Sequence, residues 1–210
     1  MKIIKYFSCV LLLFLNSCTH QKQQLANNYY KQSLLELEDR NIKDALQLIN
    51  QAVILNPIPQ YLAFKANILY QLNAFQESLT LLEKIIKQKN ISPHFKADLM
   101  NNYACLLNKS HQGAKAREIW LKLTKNVDYI APEVAFYNLG LQCLNENLEQ
   151  ARQYFMRAIQ ITPTYVDAIF FLCVVEAHLG HRDKAKKYLN KLLQITPEHR
   201  AAKRLLYQLK

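Results

Sequence analysis

Val134–Pro163, VAFYNLGLQCLNENLEQARQYFMRAIQITP, is the stretch whose reading decides the fold. At helical spacing it holds two short amphipathic segments. The first carries Phe136, Leu139, Gly140 and Cys143; the second carries Ala151, Phe155 and Ala158 and stops at Pro163. Asn145-Glu146-Asn147 separates them with the side chains that suit a tight turn. Gly140, Ala151 and Ala158 fall where two antiparallel helices cross. Larger side chains there would force the axes apart.

The spacing recurs through the 210-residue chain. A first unit covers 26–57, with Ser33, Ala45, Ile49, Ala52 and Pro57 in the corresponding places. A second covers 59–90, with Ala66, Ser78, Leu82 and Ile85, and lacks the closing proline. A third, 97–128, has Ala104, Ala116, Trp120 and Leu123. The fourth is 133–163, and the fifth, 166–197, has Cys173, Ala185, Leu189 and Leu192. Pro163 and Pro197 stand one period of about 34 residues apart. With three glycines in the whole chain and apolar residues at helical spacing, the fold class is all-α. Pro93 and Pro132 are expected to mark longer connections between units. No low-complexity linker divides 25–210, which is expected to form one domain.

This pattern resembles the tetratricopeptide repeat, a helix–turn–helix unit. The resemblance implies a superhelical solenoid of about five repeats. Residues 198–210 then form a capping helix, with Ala201, Leu205, Leu206 and Leu209 on its apolar side.

The amino terminus is of another kind. Lys2 and Lys5 precede an apolar run, Tyr6–Leu15, that is short for a membrane span and suits a cleaved leader over 1–17. Leu15-Asn16-Ser17-Cys18 resembles the bacterial lipobox, in which the Cys is acylated and becomes the first mature residue. The resemblance implies lipid on Cys18, and Thr19 after it favours the outer membrane, facing the periplasm. His20–Gln24 reads as a polar tether. At about 3.3 Å per extended residue it reaches roughly 20 Å.

In tetratricopeptide solenoids the first helices line a concave groove with positions five, nine and twelve of each repeat. By that resemblance the groove holds Tyr30, Leu34 and Leu37; Ala63, Asn67 and Tyr70; Asn101, Cys105 and Asn108; Tyr137, Leu141 and Leu144; and Phe170, Val174 and Ala177. The set is apolar with scattered amides and lacks the Lys/Asn pattern that clamps a peptide carboxylate. It suits an amphipathic helix or an extended apolar segment of a protein partner. About half of these residues are expected to be buried between neighbouring helices instead.

The formal net charge of +11 permits an anionic partner without choosing one. Lys115, Arg117, Lys122 and Lys125, and Arg182, Lys184, Lys186, Lys187 and Lys191, fall on second helices, where a solvated outer face is the ordinary role. Contact with anionic head groups is the sharper alternative. The sequence carries no phosphate loop, zinc-protease motif or nucleophile elbow, so neither a catalytic residue nor a cofactor is expected. No nucleic acid or small-molecule substrate is expected either. His178, His181 and Cys173 lack a further ligand for a metal. Cys105, Cys143 and Cys173 read as buried thiols, with a Cys143–Cys173 bridge as the other option.

Three stretches together are similar to the type IV pilus biogenesis and stability lipoproteins, the repeat-containing pilotins of the pilus secretin. They are the lipobox with its short tether, Met100-Asn101-Asn102-Tyr103-Ala104-Cys105-Leu106-Leu107, and Val134–Ala158. The family has six repeats where this chain shows five, and Gly where Ala104 stands. The resemblance implies binding of secretin subunits and their delivery to the outer membrane by the lipid anchor, without catalysis. A general scaffold lipoprotein that organises another envelope complex, such as wall-synthesis enzymes, is the second reading.

Overall fold

The computed structural model describes the backbone of residues 2–209 and the side chains of residues 19–209. Those residues form eleven helices and no strand. The chain divides into two compact units, Met1–Ile91 and Ser92–Lys210.

The first unit contains α1 (Lys2–Glu38), α2 (Ile42–Leu55), α3 (Pro59–Gln71) and α4 (Phe75–Ile86). The second contains α5 (Pro93–Lys109), α6 (Gly113–Leu123), α7 (Pro132–Cys143), α8 (Leu148–Ile161), α9 (Val166–His178), α10 (Arg182–Ile195) and α11 (Arg200–Gln208). In each unit consecutive helices pair as antiparallel hairpins, and α11 closes the second unit.

Each hairpin closes over a pair of small, buried side chains. The pairs are Ser33 with Ala45, Ala66 with Ser78, Ala104 with Ala116, Gly140 with Ala151, and Cys173 with Ala185. Where the small residue is serine, its hydroxyl answers to the opposite helix. Ser33 Oγ donates to the Ala45 carbonyl at 2.6 Å, and Ser78 Oγ donates to the Ala66 carbonyl at 2.7 Å. A buried hydroxyl left unpaired would oppose folding.

Four of the five turns have one design. Arg40, Asn73, His111 and Gly180 take left-handed backbone, with φ of 65°, 60°, 61° and 80°. The next residue's N–H then bonds back over the helix end, Asn41 to Glu36, Ala74 to Leu69, Gln112 to Leu107 and His181 to Glu176, at 2.8–2.9 Å. In the fourth hairpin the interval between small residues is one residue shorter, and no residue there is left-handed. Asn147 closes that turn instead, its Oδ1 accepting the Gln150 N–H at 2.9 Å.

Pro93 and Pro132 stand at the ends of the two longest connections between hairpins, 87–92 and 124–131, and each also opens a helix, where its missing N–H costs nothing. Other expectations need correction. The first helix of the third repeat begins at Pro93, a turn ahead of Ala97. His20–Gln24 is helical, part of α1, and His20 and Gln24 share a side-chain hydrogen bond of 3.0 Å. The run Gln21-Lys22-Gln23-Gln24-Leu25 holds good helix formers and no breaker. At about 1.5 Å per residue it advances roughly 8 Å, less than half the extended reach. On α11 the buried alanine is Ala202, not Ala201, and it packs with Leu209 on Leu189 and Leu192. The side chains of residues 1–18, on which the leader and lipidation expectations fall, lie outside the described residues. Among the described residues no helix is long and apolar enough to cross a membrane.

Gly140 is the tightest crossing. A Cβ built on it would lie 2.6 Å from Phe155 Cε1 and 2.8 Å from both Cδ1 and Cζ. Phe155 is fully buried and cannot swing away. Gly140→Leu is expected to destabilise the chain by about 1–3 kcal/mol. A melting curve matching the parent would show that this contact does not set the spacing of α7 and α8.

Candidate protein-binding face

None of the fifteen residues placed in the groove by sequence is buried. Asn67 and Asn108 are exposed and the other thirteen half-buried, so none of the set is lost to the interior as half were expected to be. Their contacts differ between the units.

In the first unit, Tyr30 of α1 lies against Tyr61 and Phe64 of α3, with ring centroids 4.9 and 5.3 Å apart. Tyr70 meets Phe75 at 5.7 Å, and Asn67 Oδ1 accepts from Gln71 Nε2 at 3.2 Å. Leu34 is half-buried on α1. Tyr30 thus ties the first helices α1 and α3 together, while Tyr70 packs on the start of α4.

In the second unit the asparagines are engaged. Asn101 Oδ1 accepts from Trp120 Nε1 at 3.2 Å and from Asn138 Nδ2 at 3.1 Å. Asn108 Oδ1 accepts from Gln142 Nε2 at 3.3 Å, and the same amide donates to the Gly113 carbonyl at 2.8 Å. Arg117 completes the network. Its Nε donates to Gln142 Oε1 at 3.0 Å, and its Nη2 reaches Cys143 Sγ at 3.3 Å and the Glu146 carboxylate at 3.6 Å. Arg117 was placed among solvated outer charges, yet it is half-buried and joins α6 to α7 and α8. The signal for this was in the chain: Asn108 and Gln142 are polar amides separated by 34 residues, one repeat length.

The aromatic members form a second seam. Tyr137 contacts Tyr165, Phe171 and Phe155 at 5.2, 5.9 and 6.0 Å. Phe170 contacts Phe171 at 5.6 Å and the His199 ring, at the start of α11, at 5.1 Å. Phe171 and Phe155, which sequence reasoning left off this face, stack at 5.8 Å. Leu141 and Leu144 sit half-buried over the same core, and Val174 is half-buried on α9. The partly open surface on the first helices of the second unit is therefore aliphatic, centred on Leu141, Leu144 and Val174, with aromatic edges.

No nucleophile is activated here. Burial pushes the Cys105 thiol up to about 11 and the Cys173 thiol up to about 12. The Cys143 thiol is also raised by burial, against the pull of Arg117. All three thiols are free, without the Cys143–Cys173 bridge. His178 Nδ1 faces the Val174 carbonyl at 2.8 Å and His181 Nδ1 faces Glu176 Oε2 at 2.7 Å, so the two rings look to different partners. Among the described residues no group of three or more metal-binding side chains comes together.

Residues 144–209 match the tetratricopeptide repeat family. The chain has the tetratricopeptide-repeat fold. PilF of Pseudomonas aeruginosa is similar to it with a TM-score of 0.73 at 17% identity, over 90% of this chain and 84% of that one. PilW, a widely conserved type IV pilus biogenesis factor, gives 0.67 at 18% identity over 89% and 92% of the two chains. YrrB, a repeat protein with an unusual peptide-binding site, gives 0.57 at 20% identity over 90% and 95%. No curated protein matches the chain in sequence. The repeat supports a protein-interaction scaffold, and its first-helix face is the candidate surface.

The raised thiols and Tyr165, whose hydroxyl burial pushes up to about 12, give a pH dependence. These groups hold protons more tightly folded than unfolded, so their contribution is complete below pH 9 and lost as pH rises from about 9 toward about 12. Melting temperature is expected to fall between about pH 9 and about pH 11, and more gently in Cys173→Ala. Equal slopes in the parent and Cys173→Ala would contradict the burial of this thiol.

Proposed function

We propose that the chain is a non-enzymatic, lipid-anchored periplasmic factor of the pilotin kind, which binds secretin subunits of the type IV pilus and carries them to the outer membrane. The fold likeness to PilF over 90% of this chain is the observation that carries this reading. PilW, a pilus biogenesis factor, shares the fold too. The lipobox-like Leu15-Asn16-Ser17-Cys18 and the aliphatic first-helix face agree with it. Lipid on Cys18 supplies location, and the face around Leu141, Leu144 and Val174 supplies recognition of an apolar segment. Neither task needs a catalytic group.

The general envelope scaffold is the second reading, because the fold is shared by repeat proteins not described as pilus factors. MamA of Desulfovibrio magneticus has a TM-score of 0.62 at 18% identity, over 83% of this chain and 96% of that one. Recovery of wall-synthesis enzymes, and no secretin, on the immobilised chain would favour it.

In a strain lacking the chain, secretin multimers are expected to disappear from the outer-membrane fraction. The Cys18→Ser chain is expected to fold, to leave the membrane, and to fail to restore them. Unchanged multimers in the deletion strain would overturn the pilotin reading.

A further inference from the structure

The last repeat and the cap carry a longer run of excess cations than the third repeat, and differ in charge from α4 and α8. On α4, Glu77 and Glu83 offset Lys84, and on α8, Glu149 and Arg152 pair with each other. Those are ordinary mixed, solvated helix faces. From Arg182 to Arg204 there are eight lysines and arginines against Asp183 and Glu198 alone.

The positions of these cations are ordered. Lys184, Lys187 and Lys191 follow one another at helical spacing on the exposed side of α10, opposite buried Ala185, Leu189 and Leu192. Ile195, 38% exposed, continues the same line. On α11, Arg200, Lys203 and Arg204 share the side opposite buried Ala202, and Tyr207, 74% exposed, extends it by one turn. Lys203 pairs with Glu198 at 3.1 Å. Lys187, Lys191, Arg200 and Arg204 have no acidic side chain within ion-pair distance among the described residues.

We propose that the outward sides of α10 and α11 are an interaction surface for an anionic phospholipid bilayer. The cations meet the phosphates of the head groups, while Ile195 and Tyr207 reach the boundary between head groups and acyl chains. Cations alone would fit any polyanion. An exposed aliphatic side chain in line with the lysines adds a contact that lipid rewards, and tyrosine is at home at that depth. The choice of lipid over a polynucleotide rests on the envelope location proposed above. The secretin partnership plays no part in it.

The test is partition of the full chain, carrying Cys18→Ser so that no attached lipid masks the effect, onto two kinds of vesicle. One is pure phosphatidylcholine; the other contains about a third phosphatidylglycerol, enough anionic lipid to set a surface potential. Preference for the anionic vesicles is expected, weakening as salt rises. The Lys184→Gln/Lys187→Gln/Lys191→Gln variant, with an unchanged melting temperature, is expected to lose the preference roughly 100-fold, about fivefold for each cation. Lys122→Gln/Lys125→Gln is expected to keep it. Equal partition onto both vesicles, or equal loss in the two variants, overturns the proposal. So does tighter binding to a single-stranded polyribonucleotide at matched phosphate concentration, with the same sensitivity to the α10 lysines. None of these readouts uses a pilus protein, so failure here is separable from failure of the pilotin reading.

Discussion

The distance between the two helices of a repeat is the constraint on which the remainder depends. In the fourth repeat that distance is set by the absence of a side chain at Gly140, whose place is taken by the Phe155 ring. Ser33, Ala66, Ala104 and Cys173 do the equivalent work in the other hairpins, each fully or almost fully buried. Close approach lets one large side chain fill the seam, as Phe155 and Trp120 do, without leaving a void. It also fixes the turn: the chain reverses through a left-handed residue in four hairpins and through an asparagine cap in the fourth.

Once the hairpins are fixed, their stacking decides what the first-helix face can present. Polar groups on that face would cost free energy if half-buried and unpaired, and the second unit avoids this with shared acceptors. Asn101 serves Trp120 and Asn138, while Asn108, Gln142 and Arg117 form a chain reaching Cys143 and Gln150. The amides that looked available to a partner thus hold one repeat to the next. What remains accessible is aliphatic, around Leu141, Leu144 and Val174, and such a surface recognises an apolar segment by shape rather than charge.

The fold was legible in the chain because it rests on small residues and prolines at a fixed period, and periodicity survives when individual side chains vary. The reading was weakest where one residue can play two parts. Pro93 and Pro132 mark the longer connections and are also first-turn prolines, so the third repeat's first helix starts a turn earlier than the period suggests. Arg117 looked like an outer charge because it stands among Lys115, Lys122 and Lys125. Its place is fixed by Gln142 and Gln150 from later repeats, which spacing within its own helix cannot show. Tyr137 and Phe170 carry both roles at once: their rings join neighbouring repeats, and their remaining exposed edges border the aliphatic surface.

On the proposed reading, recognition and address fall to separate parts of the chain. The first-helix face and the basic outer sides of α10 and α11 are composed differently, so protein recognition and lipid contact need not compete. Site-specific photocrosslinking in intact cells from Leu141 and Val174, with Arg157 on the exposed side of α8 as the control, tests the central claim most directly. The account predicts that secretin is captured from Leu141 and Val174 and not from Arg157. Secretin captured from Arg157 alone, or an unrelated partner captured from Leu141 and Val174, would contradict it.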